Sequence, residues 1–417
     1  MPTRVPSRSL RRLGRLAVVA AGFGALVATT AVTLTPASAD TAVTPKSGAF
    51  LIKGSGFGHG HGMSQYGAYG AARKGKNWQQ ILAFYYPGTT LKTMPSGTTI
   101  KVWITADNDN NLRVRPAKGL KVSDANGHRY TVPAGSKYKF WRIVRSGSGY
   151  KLQWKDGAGT YHAQKVGLDT STWSFSTSAK VVKVRVPSLA DREYRGSVAL
   201  VKRGSGGRVV NKVLLEDYVR SVVPSEMPTS WAADAVRSQA VAARSYAVRL
   251  RDFTNYSGYD ICDTTACQVY SGRAVTPNGG KRVVRETTGG NAAVKATAGR
   301  IVTYKGQVAL TQFASSNGGA MSKGGYPYLT AKKDPYDGVI RSQAWSRKIT
   351  AKAVAKAYPS AGTVRKLQVT KRDRTGSWGG RVTTIKIIGS KKTVSVSGTA
   401  FQSKFGMRSS VYKVTRP

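Results

Sequence analysis

Residues 214–250, LLEDYVRSVVPSEMPTSWAADAVRSQAVAARSYAVRL, constrain this chain more than any other stretch. In the first half Leu215, Tyr218, Val219 and Val222 recur at i, i+3, i+4 and i+7, which makes one apolar helical face. In the second half Trp231, Ala235, Val236, Val241, Ala242 and Tyr246 alternate with Asp234, Arg237, Gln239, Arg244 and Arg249. Alanine favours a helix there, and Thr229 or Ser230 can cap it. Between the two runs lies a stiff elbow, Pro224-Ser225-Glu226-Met227-Pro228, which puts Glu226 just before a helix N-terminus.

Glutamate is scarce: the chain has only Glu193, Glu216, Glu226 and Glu286. Burial beside Met227 and Trp231 would raise the Glu226 pKa and suit a general acid, while a helix N-terminus would favour the carboxylate. The plainer reading is a glutamate that caps a helix or joins a salt bridge.

The 417 residues suffice for two or three domains. Residues 1–39 read as a secretory signal. Arg4, Arg8, Arg11, Arg12 and Arg15 precede an apolar run over residues 16–34, and Ala37-Ser38-Ala39 fits cleavage before Asp40. Arg11-Arg12 hints at twin-arginine export, and a retained anchor is the alternative to cleavage. The formal charge is +47, and it stays strongly positive without those five arginines. Residues 341–417 alone carry 18 Lys and Arg against one acid, Asp373. Such a surface attracts polyanions, and for an exported protein the expected ones are the anionic polymers of the cell envelope. Nucleic acid is not expected, because no DNA- or RNA-binding signature is present.

Cys262 and Cys267, spaced C-x4-C, can close a small disulfide loop outside the cytosol; free thiols or a metal site are the alternatives. Residues 49–91 begin with a short strand over 50–53. A glycine loop over 54–62 follows, carrying His59 and His61, and then two helices over 63–74 and 78–86. That loop fits a metal site, an acid–base site or an ordinary turn. Residues 97–206 read as short strands whose Trp103, Trp141, Trp154 and Trp173 suit a core. Residues 281–298 suggest a helix broken at Gly289-Gly290, and Ser315-Ser316-Asn317 lie in a polar glycine loop suited to substrate hydrogen bonds or to a turn. A small helix over 347–358 precedes short strands over 364–417. The fold class is α+β, a helical centre with β-rich flanks. The segments are a signal (1–39), a Gly-His block (40–96), a β-rich domain (97–206), a core (207–340) and a C-terminal β-rich part of that core (341–417). No nucleophile elbow, zinc-protease or phosphate-loop motif is present.

VVPSEMPTSW followed by AVRSQAVAARSYA resembles the sporulation stage II protein D and amidase-enhancer family of bacterial wall proteins. CDTTACQVYSG, FASSNGG, YLTAKKDPYD and GHGHGMSQYGAYGAARKG are similar to its other blocks. In typical members the glycine–histidine block follows a strand resembling FGMRSSVYKV, whereas here that strand ends the chain at 405–414. The order looks circularly permuted. It implies that strand 411–415 lies beside strand 50–53 and that His59 and His61 return to the neighbourhood of Glu226.

The resemblance also implies a lytic transglycosylase acting on peptidoglycan glycan strands, with Glu226 as acid and then base and 1,6-anhydro-muramic ends as product. Gln239, Arg244, Gln268, Tyr270, Ser315, Ser316, Asn317, His59 and His61 become candidates to position glycan or Glu226. Some relatives bind zinc near the CDTT block, but Ala266 stands where they carry His, so neither metal nor cofactor is expected. The family's other arm implies a wall-binding activator whose partner is a cell-wall amidase.

Overall fold

The computed structural model describes residues 39–187, 190–340 and 343–417; the expected signal over 1–39 lies outside them except for Ala39. The architecture is α+β. Seven helices are described: α1 (Gln65–Arg73), α2 (Trp78–Tyr85), α3 (Leu215–Glu226), α4 (Ala233–Phe253), α5 (Thr288–Ala296), α6 (Ala351–Ala357) and α7 (Gly398–Lys404). An eight-stranded sheet and a seven-stranded sheet hold most strands of residues 99–214. Both take in later chain. Ala274–Pro277 extends the first, and Ile261–Cys262 pairs in parallel with Val102 and Trp103 at the edge of the second.

Helix α4 connects two cores. Its Val236, Ala240, Ala243, Ala247 and Val248 join the core of the two large sheets and α3. Its Ala235, Val241 and Ala242 join a second core built on α1, α2 and residues 302–329. Twelve of its 21 residues are buried, so it is an interior helix, and its alanines let neighbours approach closely from both sides. A third core gathers Phe50 and Ile52 with strands Val364–Arg372 and Val382–Gly389, Phe401 and Tyr412.

The local structure departs from the sequence reading at the elbow. Pro224 lies inside α3, which runs on to end at Glu226, and α4 begins only at Ala233, with Ala232 as its unassisted N-cap. Neither Thr229 nor Ser230 caps it. Thr229 Oγ1 instead hydrogen-bonds Thr287 Oγ1 (2.7 Å), the N-cap residue of α5. Gly289-Gly290 does not break α5 but forms its first turn. A Cβ on Gly289 would stand 2.5 Å from the Thr229 carbonyl, so glycine is what allows α5 to seat against the elbow.

Strand Ala49–Ser55 lies between Ala344–Thr350 and the final strand Tyr412–Thr415, with Leu51 opposite Thr415 and Gly54 opposite Tyr412. This is the adjacency the block order implies. Tyr412 is fully buried, and its hydroxyl lacks a partner among the described residues. Tyr412→Ala should cost about 3–5 kcal/mol through the cavity it leaves. Tyr412→Phe should be neutral or stabilising, because it removes an orphaned hydroxyl. Chemical denaturation midpoints of the two variants check both signs.

Candidate active site

Glu226 opens into a cavity of about 500 Å³ whose lining includes Phe57, His59, Gln65, Tyr246, Cys267, Val269, Phe313 and Ser315. Four separate parts of the chain build most of its wall. The α3–α4 elbow supplies the carboxylate. The loop after α4 is pinched by the Cys262–Cys267 disulfide (Cα–Cα 5.5 Å) and brings Val269 N–H to Glu226 Oε1 at 3.4 Å. The glycine–histidine loop runs alongside residues 312–316: Met63 N–H donates to Gln312 O (3.1 Å), Tyr66 N–H to Ser315 O (3.0 Å), and Phe57 exchanges backbone bonds with Ser316.

Burial raises the Glu226 pKa above the ordinary carboxylate value, while the Val269 N–H and the Gln65 side chain pull it back. The sequence reading put Glu226 ahead of a helix N-terminus, whose dipole would lower the pKa. The structure places it at the C-terminus of α3, where the peptide dipoles disfavour negative charge and act with burial. Glu226 is the sole acid among the lining residues.

His59 and His61 stack at 5.1 Å between ring centroids. His61 N–H donates to His59 Nδ1 (3.0 Å), so that nitrogen carries a lone pair and a neutral ring holds its proton on Nε2. His59 reaches the cavity; His61 instead lies against the Ser322 carbonyl (3.4 Å). Burial, His61 and Arg381 all push the His59 pKa down and keep the ring neutral. Arg381 spans this loop from the third core, donating to Gly58 O (3.0 Å) and Asn317 O (3.2 Å). Gly60 (φ +76°) makes room for it: a Cβ there would fall 2.1 Å from the guanidinium.

The other candidates divide sharply. Ser315 lines the cavity. Gln239 is buried one step behind it, where its Oε1 accepts from Gln65 Nε2 (3.4 Å). Arg244, Gln268, Tyr270, Ser316 and Asn317 lie outside the lining, with their polar groups occupied inside the protein. Arg244 is fully buried and bidentate to Glu216 (2.8 and 2.7 Å). Gln268 accepts from Tyr218 OH (2.9 Å), and Tyr270 OH donates to Asn211 (2.7 Å). Ser316 donates to Asp337 and Asn317 to Asp334, each at 2.7 Å. These five side chains brace the site and do not face a ligand there. Sequence reasoning missed Gln65, Tyr246, Val269 and Phe57. A glutamine opening a helix of glycines and alanines was the available signal for Gln65; nothing local marked Val269, which acts through its backbone.

Residues 203–304 match a family model described as SpoIID, stage II sporulation protein. This part of the chain is similar to the SpoIID family. The amidase enhancer of Bacillus subtilis (strain 168) is 35% identical over 125 residues, covering 28% of this chain and 15% of that protein. Stage II sporulation protein D of the same organism is 34% identical over 139 residues, 31% of this chain and 40% of its own length. The corresponding protein of Bacillus amyloliquefaciens is 33% identical over 139 residues, with the same coverage. The chain thus spans well under half the length of these relatives. The SpoIID segment contains Glu226 and the disulfide loop, whereas His59, Gln65 and residues 312–315 of the cavity wall lie outside it.

Arg244→Met should leave Glu216 charged and half-buried without its partner. Unfolding by denaturant should show a loss of about 3–5 kcal/mol. Glu216→Gln/Arg244→Met should recover part of that loss, because the uncompensated charge is then gone.

Proposed function

We propose that this protein is an exported, wall-associated lytic transglycosylase that cleaves peptidoglycan glycan strands with Glu226 as its one catalytic carboxyl. The observation that carries the reading is a single half-buried acid, its pKa raised, in a cavity with no second carboxylate. A hydrolase of the usual kind needs two carboxyl groups, one to protonate the leaving oxygen and one to activate water or attack the sugar. A lytic reaction needs only one. Protonated Glu226 gives its proton to the glycosidic oxygen as the bond to C1 breaks. The resulting carboxylate takes the proton from the muramic acid 6-hydroxyl as that oxygen bonds to C1. Atoms balance without water, and the acid is regenerated.

Each half of this cycle has a source of support in the cavity. Burial and the α3 terminus favour the protonated starting form. Gln65 and the Val269 N–H favour the carboxylate that forms midway. The strongly basic chain suits retention on anionic wall polymers.

A second reading, a wall-binding activator of a cell-wall amidase, is favoured by the 35% identity to a protein named amidase enhancer. Mass spectrometry of glycan strands digested with the full protein separates the two. Anhydro-muramic ends are expected from the wild type and not from Glu226→Gln. Binding without cleavage by the wild type would transfer the assignment to the activator, and reducing ends would require a second carboxylate.

Cleavage requires protonated Glu226, so the rate should fall as pH rises through its elevated pKa. Gln65 stabilises the ionised form, so Gln65→Leu should raise that pKa and move the alkaline limb of kcat/KM to higher pH. An unmoved limb would show that Gln65 does not act on the carboxyl in solution.

A further inference from the structure

Asp107 is 1% exposed, yet neither oxygen of its carboxyl has a hydrogen-bond partner among the described residues. A carboxyl buried in this way is costly unless a proton or a counter-ion offsets it. Burial first, and then the charge of Asp109, raise its pKa to about 8, with Arg113 acting in the opposite sense.

Asp107 also opens a run of oxygen donors, Asp107-Asn108-Asp109-Asn110-Asn111. Residues 107, 109 and 111 match the first, third and fifth positions of a calcium-binding loop. The run is not an EF-hand: Leu112 stands at the glycine position and Lys118 at that of the last glutamate. It shares only the alternation of donors. The Cα atoms of Asp107 and Asp109 are at most about 7 Å apart by chain length alone. Asn111 N–H donates to Asp109 Oδ1 (3.1 Å) and Asn111 Nδ2 to the Asp109 carbonyl (2.8 Å), which leaves Asn111 Oδ1 as an acceptor. Asp109 Oδ2 accepts from Arg113 (2.6 Å) and keeps a second lone pair.

The loop is well anchored. Asn110, at φ +64°, turns the chain, and its Oδ1 accepts from Gly207 N–H (3.0 Å). Thr105, two residues ahead of Asp107, donates through its N–H (3.0 Å) and Oγ1 (2.6 Å) to Asp263, inside the disulfide ring. The loop joins strand Thr99–Trp103 of the seven-stranded sheet to strand Asn111–Val114 of the eight-stranded sheet.

We propose that residues 107–111 form a site for a divalent cation of the calcium class, with Asp107 as its buried anionic ligand and Asp109 and Asn111 as further side-chain donors. The sequence reading considers metal only at the cysteine and histidine stretches; this loop offers oxygen alone, which suits a hard cation. An irregular loop fits the flexible coordination of calcium better than the strict octahedron of magnesium. The basic chain repels cations in general, so one that binds must be drawn by a local pair of carboxyls. The same field puts the affinity at the weak end expected of extracellular modules, a Kd of about 0.1–1 mM. An ion here would fix the crossover between the two sheets and the footing of the disulfide loop. The site stands independently of the lytic reading.

The test uses the full chain with terbium(III), a luminescent substitute for calcium, followed by calcium competition and thermal unfolding. Terbium should bind and be displaced by calcium at lower concentration than by magnesium. Calcium at about 10 mM should raise the thermal midpoint by about 2–4 °C over that in chelator. Asp107→Asn should weaken terbium binding about tenfold or more and abolish the calcium shift. In chelator its midpoint should equal or exceed the parent's, because an orphaned buried charge is gone. Should Asp107→Asn fail to fold, Asp109→Asn carries the test and should weaken binding in the same sense. Asp169→Asn is the control, since ligand atoms of Asp124, His128 and Asp169 lie within 4.8 Å of one another and form a competing cluster. That variant should bind as the parent does. A parent indifferent to calcium and terbium would overturn the proposal and leave Asp107 a carboxyl kept neutral by burial. A response that is lost in Asp169→Asn and survives Asp107→Asn or Asp109→Asn would overturn it equally.

Discussion

The buried contact between Arg244 of α4 and Glu216 of α3 ties together the parts on which the site depends. The guanidinium is wholly enclosed, bidentate to the carboxylate, and donates also to the Arg300 carbonyl at 3.1 Å. The same carboxylate accepts from Gly299 N–H. One ion pair therefore fixes α3, α4 and the start of strand Arg300–Tyr304 relative to one another. A charge buried in this way is tolerable only because its partner and its remaining hydrogens are satisfied. Its consequence is the position of Glu226 one helix length away: with α3 fixed at its N-terminal end and α5 seated on the elbow through Gly289, the carboxyl has little freedom at the other end.

Much of this was legible locally. The apolar spacing from Leu215 to Val222 marked α3, the alanine-rich run marked α4, and the scarcity of glutamate drew attention to Glu226. Asn77 with Gln80 forms the capping box that begins α2, one residue before the expected stretch 78–86, and Ser64 caps α1 inside the expected stretch 63–74. Local pattern failed where tertiary contact decides. Pro224 looked like a helix end but is accommodated inside α3, and the paired glycines of α5 looked like a break but are a docking surface.

Residue type alone also misjudged the polar candidates. Arg244, Gln268, Tyr270, Ser316 and Asn317 have the chemistry of ligand-binding residues. Nothing in a linear chain says whether a donor will meet a ligand or another buried group. Trp141 and Trp173 are core, as their strands suggested, but Trp103 packs beside the disulfide loop with Arg208 over its ring at 4.4 Å. The return of the histidine loop was implied by the block order and not by any local pattern; the pairing of Ala49–Ser55 with Tyr412–Thr415, the backbone bonds to residues 312–316 and the Arg381 clamp hold His59 on the cavity wall with Glu226.

The electrostatics of the cavity run against those of the whole molecule. A chain with 66 Lys and Arg against 19 acids should favour every carboxylate, yet the Glu226 shift is upward. Range explains the contrast. At physiological salt, exposed charges are screened beyond about 8 Å, whereas burial and a helix terminus act within a few ångströms and are screened little. The surface charge of the chain can therefore be high without ionising Glu226. His59 fits the same division. It lies on the cavity wall, but burial, with His61 and Arg381, holds it neutral, so it contributes a hydrogen-bonding ring and no positive charge that would pull the Glu226 proton away.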